Sequence, residues 1–164
     1  MRIAILAACC ALAAGPALAQ SVTLKGLGGQ SVVLSAADLA ALPQAKVSFD
    51  AHGDKHVYEG PLLIDVLAKA GAPTGQQIHG PELADAILVK AADGYQVVFG
   101  LGEADPGTRP NRIILAARAD DAPLGAKDGP FKVVVEGDLR PARSARMVTE
   151  IDLVRLVSSS AAAH

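Results

Sequence analysis

The chain has 164 residues, enough for one domain with its own core. Hydrophobic residues make up 51% of it and aromatic residues only 3%, so that core must be built from Val, Leu, Ile and Ala rather than from rings. A formal net charge of -2 offers no field to steer the protein to nucleic acid or to an anionic membrane, and rings for base stacking are scarce; both argue against a nucleic-acid reader.

In chain order, the first 19 residues read as a secretory signal. Arg2 is a short positive region, Ile3 to Ala14 is apolar, Gly15 and Pro16 break the run, and Ala17-Leu18-Ala19 is a small-x-small cleavage site before Gln20. The run is too short to span a bilayer. The rival is lipoprotein processing at Leu6-Ala7-Ala8-Cys9, which leaves an apolar region of only about six residues. Cleavage after Ala19 removes both cysteines, Cys9 and Cys10, so the mature chain is expected to lack disulfides, thiolate metal ligands and a cysteine nucleophile. The expected location is the periplasm or the exterior, with no membrane insertion after cleavage.

Ser21 to Leu24 and Ser31 to Leu34 read as two strands around Gly26-Leu27-Gly28-Gly29. Ser35 with Asp38 three residues later resembles a capped helix start, and Pro43 stops that helix. Lys46 to Phe49 and His56 to Glu59 alternate polar and apolar about a polar loop, which predicts a hairpin. Leu62, Leu63, Val66, Leu67 and Ala70 form one apolar helical stripe, with Pro61 expected in the first turn and Gly71 just past the end. Ala86 to Lys90 and Tyr95 to Phe99 flank Asp93-Gly94, a second hairpin. Ile113 to Arg118, Phe131 to Val135 and Val148 to Leu156 are further strands. The fold class is therefore α+β, mainly antiparallel sheet with two or three short helices, in one domain over 20–157, followed by a disordered tail at 158–164.

Two clusters invite a chemical reading. His52 and His56 flank Gly53-Asp54 and are candidate metal ligands. Two ligands do not close a site, and Gly53-Asp54 between alternating runs also fits a plain hairpin turn, so no metal is expected. Arg140, Arg143 and Arg146 lie in one short segment, and guanidiniums suit phosphate or carboxylate. They are the candidate ligand-binding residues, with surface pairing to Glu136, Asp138 and Glu150 as the alternative. No G-x-S-x-G elbow occurs, Ser48 and Ser144 have no nearby signature, and Glu103, Asp105 and Asp120-Asp121 read as loop residues. The catalytic residues are unknown.

Tyr58 to Leu67, Ala92 to Tyr95 and Pro123 to Val135, with the ending from Arg143 to Ile151, together resemble the sulfite-oxidase-type molybdopterin-binding domain family. Tyr58 to Leu67 is similar to its Y-x-G-x-P-L-x-D-L-L helix start. Ala92-Asp93-Gly94-Tyr95 is similar to its A-x-D-G-Y hairpin. Pro123 to Val135 is similar to its P-L-x-x-x-H-G-x-P-x-R-L-V-V-P segment, and Arg143 to Ile151 to its V-K-W-L-x-x-I ending. The resemblance implies that family's fold and places Arg146, with Arg143 close by, near a cofactor phosphate. The departures bear on function. Catalytic members hold molybdenum through a cysteine, and the mature chain has none. The motif's His is Asp128, its Trp is Met147, and the chain has no Trp. The expectation is an exported, non-catalytic binding or accessory module for a small anionic ligand, a molybdopterin-type pterin being one candidate, or for a periplasmic or membrane-bound redox partner. The alternatives are a periplasmic molybdopterin-dependent oxidoreductase with non-cysteine metal ligation, and an interaction protein docking through a strand edge.

Overall fold

A computed structural model describes residues 20–51 and 53–156. The signal expected at 1–19, the tail expected at 158–164 and His52 lie outside the described residues. Among those residues no helix is long and apolar enough to cross a membrane.

The chain opens with β1 (Ser21–Lys25) and β2 (Ser31–Ser35), an antiparallel pair. Helix α1 (Ala36–Ala40) follows directly. Its capping box forms as expected: Ser35 Oγ accepts from the Asp38 amide at 3.2 Å, and Asp38 Oδ2 accepts from the Ser35 amide at 2.8 Å. β3 (Gln44–Ala51) and β4 (Asp54–Pro61) form the expected hairpin, with strands longer and turn tighter than the alternation indicates. Gly53, at φ +94, makes that turn.

Pro61 corrects one expectation. It ends β4, Leu62 takes the N-cap, and α2 (Leu63–Ala68) starts after it. The apolar stripe is as expected: Leu63, Ile64, Val66 and Leu67 are buried, and Gly71 closes the helix at φ +80. Gly60, in the same motif, sits where β4 crosses the strand at 113–116. A Cβ there would run into the Leu115 carbonyl oxygen, so the close crossing requires glycine.

Short 3-10 turns at Gly75–Gln77 and Gly80–Ala84 lead into β5 (Asp85–Ala91), which pairs with β6 (Gln96–Gly100) around Gly94. After α3 (Leu101–Ala104) come β7 (Ile113–Ala116), then β8 (Arg118–Ala119) and β9 (Ala122–Pro123). These last two make a small hairpin where the sequence reads as loop, because Asp120 and Asp121 adopt φ +50 and +59. Short polar side chains tolerate that left-handed region. β10 (Lys132–Val135), a 3-10 turn at Pro141–Arg143, and β11 (Val148–Arg155) complete the chain.

The strands form a five-stranded sheet in the order β2-β1-β11-β5-β6, a four-stranded sheet β3-β4-β8-β9, and the pair β10-β7. All strand pairings are antiparallel except β1 with β11. The fold is thus α+β and mainly antiparallel, with three short α-helices among the described residues.

Two hydrophobic clusters share β7 and β10. Ile113 and Leu115 point to the larger cluster, with α2 and the five-stranded sheet, while Ile114 and Ala116 join the smaller one with Val47, Phe49 and Tyr58. Val133 and Val135 go to the larger cluster and Val134 to the smaller. Because side chains alternate along a strand, a strand lying between two cores is apolar at every position, which is why both segments read as continuous runs. Lys132 lies two residues from Val134 and therefore on the smaller cluster's side.

On the open face of the five-stranded sheet, Lys25 and Lys90 flank Glu150 at 2.8 and 2.6 Å, and Lys90 also reaches Asp152 at 2.7 Å. Lys25 and then Lys90 hold the Glu150 carboxyl down at about 2. Arg112 does the same for Glu136, also to about 2, from an ordinary value of 4.5. Both carboxyls are depressed in the folded state, so their contribution is complete above that ordinary value and fades as pH falls through about 2. Urea unfolding followed by circular dichroism should show stability falling across that acid range. The double variant Glu136→Gln, Glu150→Gln should show a flatter acid limb; an unchanged limb would contradict the assignment.

Candidate functional site

A cleft of about 380 Å³ opens where the β5–β6 turn, the loop before β10 and the segment before β11 meet. Backbone hydrogen bonds tie these pieces together. The Met147 amide donates to the Asp128 carbonyl at 3.0 Å, Val148 to Phe131 at 2.9 Å, and Ala92 to Met147 at 2.9 Å. Tyr95 adds a clasp, donating its hydroxyl to the Ala142 carbonyl. Met147 adopts φ +51, unusual for its type, at the point where the segment turns into β11.

Lys132 forms the floor and is only 7% exposed. Its ammonium donates to Tyr58 Oη at 3.1 Å and Asp128 Oδ2 at 3.2 Å, and lies 4.7 Å from the centre of the Tyr58 ring. A buried ammonium needs such partners, since stranding it would cost roughly several kcal/mol. Two donors are used and the third is spare. Beside it Ser144 is 6% exposed, and its hydroxyl has no hydrogen-bond partner among the described residues. Arg146 lies on the rim, half exposed, with Nε 3.9 Å from Asp128 Oδ1. Asp93 lies across from it, with Oδ1 accepting the Tyr95 amide at 3.0 Å. The cleft therefore combines a buried cation, a rim cation and an unsatisfied hydroxyl, the groups that hold a phosphate or carboxylate.

The three arginines go to three different places. Arg146 reaches the cleft. Arg143 is clamped: Asp138 accepts from it at 2.9 and 2.6 Å, Glu103 accepts at 2.6 Å, and its guanidinium lies 5.3 Å from the Phe99 ring centre. Asp138 first, then Glu103, hold it more firmly protonated than an ordinary arginine. Arg140 lines a neighbouring open groove of about 910 Å³ with Ser48, Asp50 and Leu139. Of the surface pairings anticipated for this cluster, only that of Arg143 with Asp138 forms as named. Glu136 answers Arg112, and Glu150 answers the two sheet lysines.

His56 lies outside the residues that line the cleft. Its Nδ1 is 2.6 Å from Asp120 Oδ2, and Asp120 Oδ1 accepts the Val57 amide at 2.9 Å, so the Asp120 turn is latched to β4. Among the described residues no group of three or more His, Cys, Asp or Glu is arranged to hold a metal. Glu103, read as a loop residue, lies instead in α3 and braces Arg143, while Asp105, just past that helix, accepts the Gly75 and Gly107 amides.

Sequence reasoning missed Lys132. The signal was there: a lone charge inside the run Phe131-Lys132-Val133-Val134-Val135, where an ammonium cannot stand without partners. Ser144 carries no comparable signal, because a buried hydroxyl becomes notable only when its partners are found missing.

No family model matches the chain, and no curated protein matches it. Among solved structures it is similar to the crystal structure of the sulfane dehydrogenase SoxCD from Paracoccus pantotrophus, with 16% sequence identity and a TM-score of 0.64. The likeness covers 84% of this chain and spans 38% of that one. At that identity it shows the fold, and it agrees with the architecture that the sequence motifs imply.

The molybdopterin group that the resemblance implies can be tested against these side chains. Lys132, Arg146 and Ser144 fit its anionic end. Among the described residues there is no cysteine to serve the metal end. Arg143→Ala should lower the unfolding free energy by about 1–2 kcal/mol, modest because the side chain is a third exposed. It should leave affinity for inorganic phosphate unchanged, measured by calorimetry; a loss of affinity would return Arg143 to the ligand.

Proposed function

We propose that this chain is an exported, non-catalytic binding or accessory module that takes a small anionic ligand in the Lys132–Arg146 cleft. The phosphate of a pterin cofactor is the candidate favoured by the sequence resemblance. The observation that carries this reading is the meeting, at one cleft, of a buried ammonium with a spare donor and a buried hydroxyl with no partner. Arg146 supplies the rim contact, Arg143 braces the segment from behind, and Arg140 belongs to the neighbouring groove. The fold shared with a sulfane dehydrogenase supports a redox setting, in which the module serves a periplasmic or membrane-bound redox partner. No oxidoreductase step is assigned to it, because the residues at the cleft supply no thiolate for a metal.

The test has two parts. Protein exported and purified natively is analysed for molybdenum by elemental mass spectrometry and for pterin by fluorescence after oxidation. Pterin without molybdenum supports the proposal; both near one per chain would establish the alternative, an oxidoreductase with non-cysteine ligation. In calorimetry, Arg146→Ala should weaken binding of inorganic phosphate by about tenfold, the scale of one charged hydrogen bond. Unchanged affinity would move the site elsewhere.

A further inference from the structure

We propose that Asp128 is the specificity-determining residue of this cleft. Its carboxylate stands as a built-in anion against Lys132 and Arg146, so that the site disfavours a plain anion and selects one that carries hydrogen-bond donors beside its charge. The inference rests on the cleft being the ligand site.

The geometry is the ground for it. One oxygen of Asp128 lies 3.2 Å from Lys132 Nζ, and the other lies 3.9 Å from Arg146 Nε. A single carboxylate thus divides the two cations that an incoming bare anion would need. Asp93 adds a second negative charge at the rim. Four charged side chains line the cleft, two of each sign, beside the neutral Tyr95 and Ser144. A bare dianion entering this space gains no net positive field and meets like charge at contact range, where partial burial makes repulsion expensive. An anion bearing N–H or O–H groups meets Arg146 and Ser144 with its charge and Asp128 with its donors, so every polar group finds a partner.

The backbone does not account for an aspartate here. The Asp128 amide donates to the Gly125 carbonyl at 3.0 Å and its carbonyl accepts from Met147, bonds that any residue other than proline could make. What the side chain adds is the negative charge. Asparagine would keep one acceptor for Lys132 while removing the charge and turning the second oxygen into an amide donor, which separates selection from simple support of the buried lysine.

Sulfate, a dianion with no proton to donate at neutral pH, is titrated calorimetrically into the full chain, wild type and the variants Asp128→Asn and Asp128→Ser, at one fixed salt concentration. Both variants are expected to bind sulfate about tenfold more tightly or better, the scale of one charged contact. Equal or weaker binding, with Arg146→Ala still lowering the affinity for inorganic phosphate, overturns the role of Asp128 and leaves the cleft as the site. No binding of sulfate or inorganic phosphate by either variant, with native circular dichroism, overturns both. A comparison on the wild type alone needs no variant: inorganic phosphate, which keeps an O–H donor at neutral pH, should bind more tightly than sulfate, and equal affinities contradict the proposal.

Discussion

Lys132 sits in a strand whose neighbours are packed in hydrocarbon on both faces, and its ammonium has to be answered within the protein. Tyr58 answers from β4 and Asp128 from the loop before β10. That requirement links three regions far apart in sequence. It fixes where the β3–β4 hairpin lies against β10, it draws the loop at 124–131 over the end of the smaller cluster, and it sets Lys132 among the residues that line the cleft. A methionine of similar length would suit the hydrophobic neighbours and leave Asp128 without its cation. A charge where an apolar residue would pack more easily is what makes this end of the molecule the candidate site.

The two-cluster arrangement explains why the candidate site lies where it does. β7 and β10 are the shared wall, and each supplies alternate side chains to either side. Shared walls are rigid, because neither strand can shift without disturbing both clusters. The cleft is built at the end of that wall, from Lys132 at the first position of β10 and from the 141–147 segment that leads into β11. Rigid strands thus set the floor, while turns at Asp93 and Asp128 set the rim.

Much of the fold was legible in the sequence because local chemistry and tertiary structure agree. Ser35 and Asp38 form their capping box, Gly94 makes its hairpin turn, and the Leu63–Leu67 stripe is buried as its spacing indicates. Misses came where neither periodicity nor composition carries the signal. The two-residue strands β8 and β9 are too short to alternate, and they exist because Asp120 and Asp121 accept left-handed backbone and Asp120 is latched to His56 and Val57. The candidate site was half legible. Three arginines close in sequence suggested one cluster, yet the turn at Pro141–Arg143 sends them to a groove, a carboxylate clamp and a cleft. Nearness along the chain does not predict nearness of side chains when a turn intervenes, whereas Lys132 and Ser144 come together only through long-range pairing.

The most direct measurement is amide chemical-shift mapping by nuclear magnetic resonance as inorganic phosphate is added to the chain. The account predicts that perturbations gather at Asp128, Lys132 and Ser144 to Met147, with Leu139, Arg140 and the β3–β4 turn unmoved. Perturbations centred on the groove around Arg140, or none that saturate, would contradict the placement of the ligand site at the buried lysine.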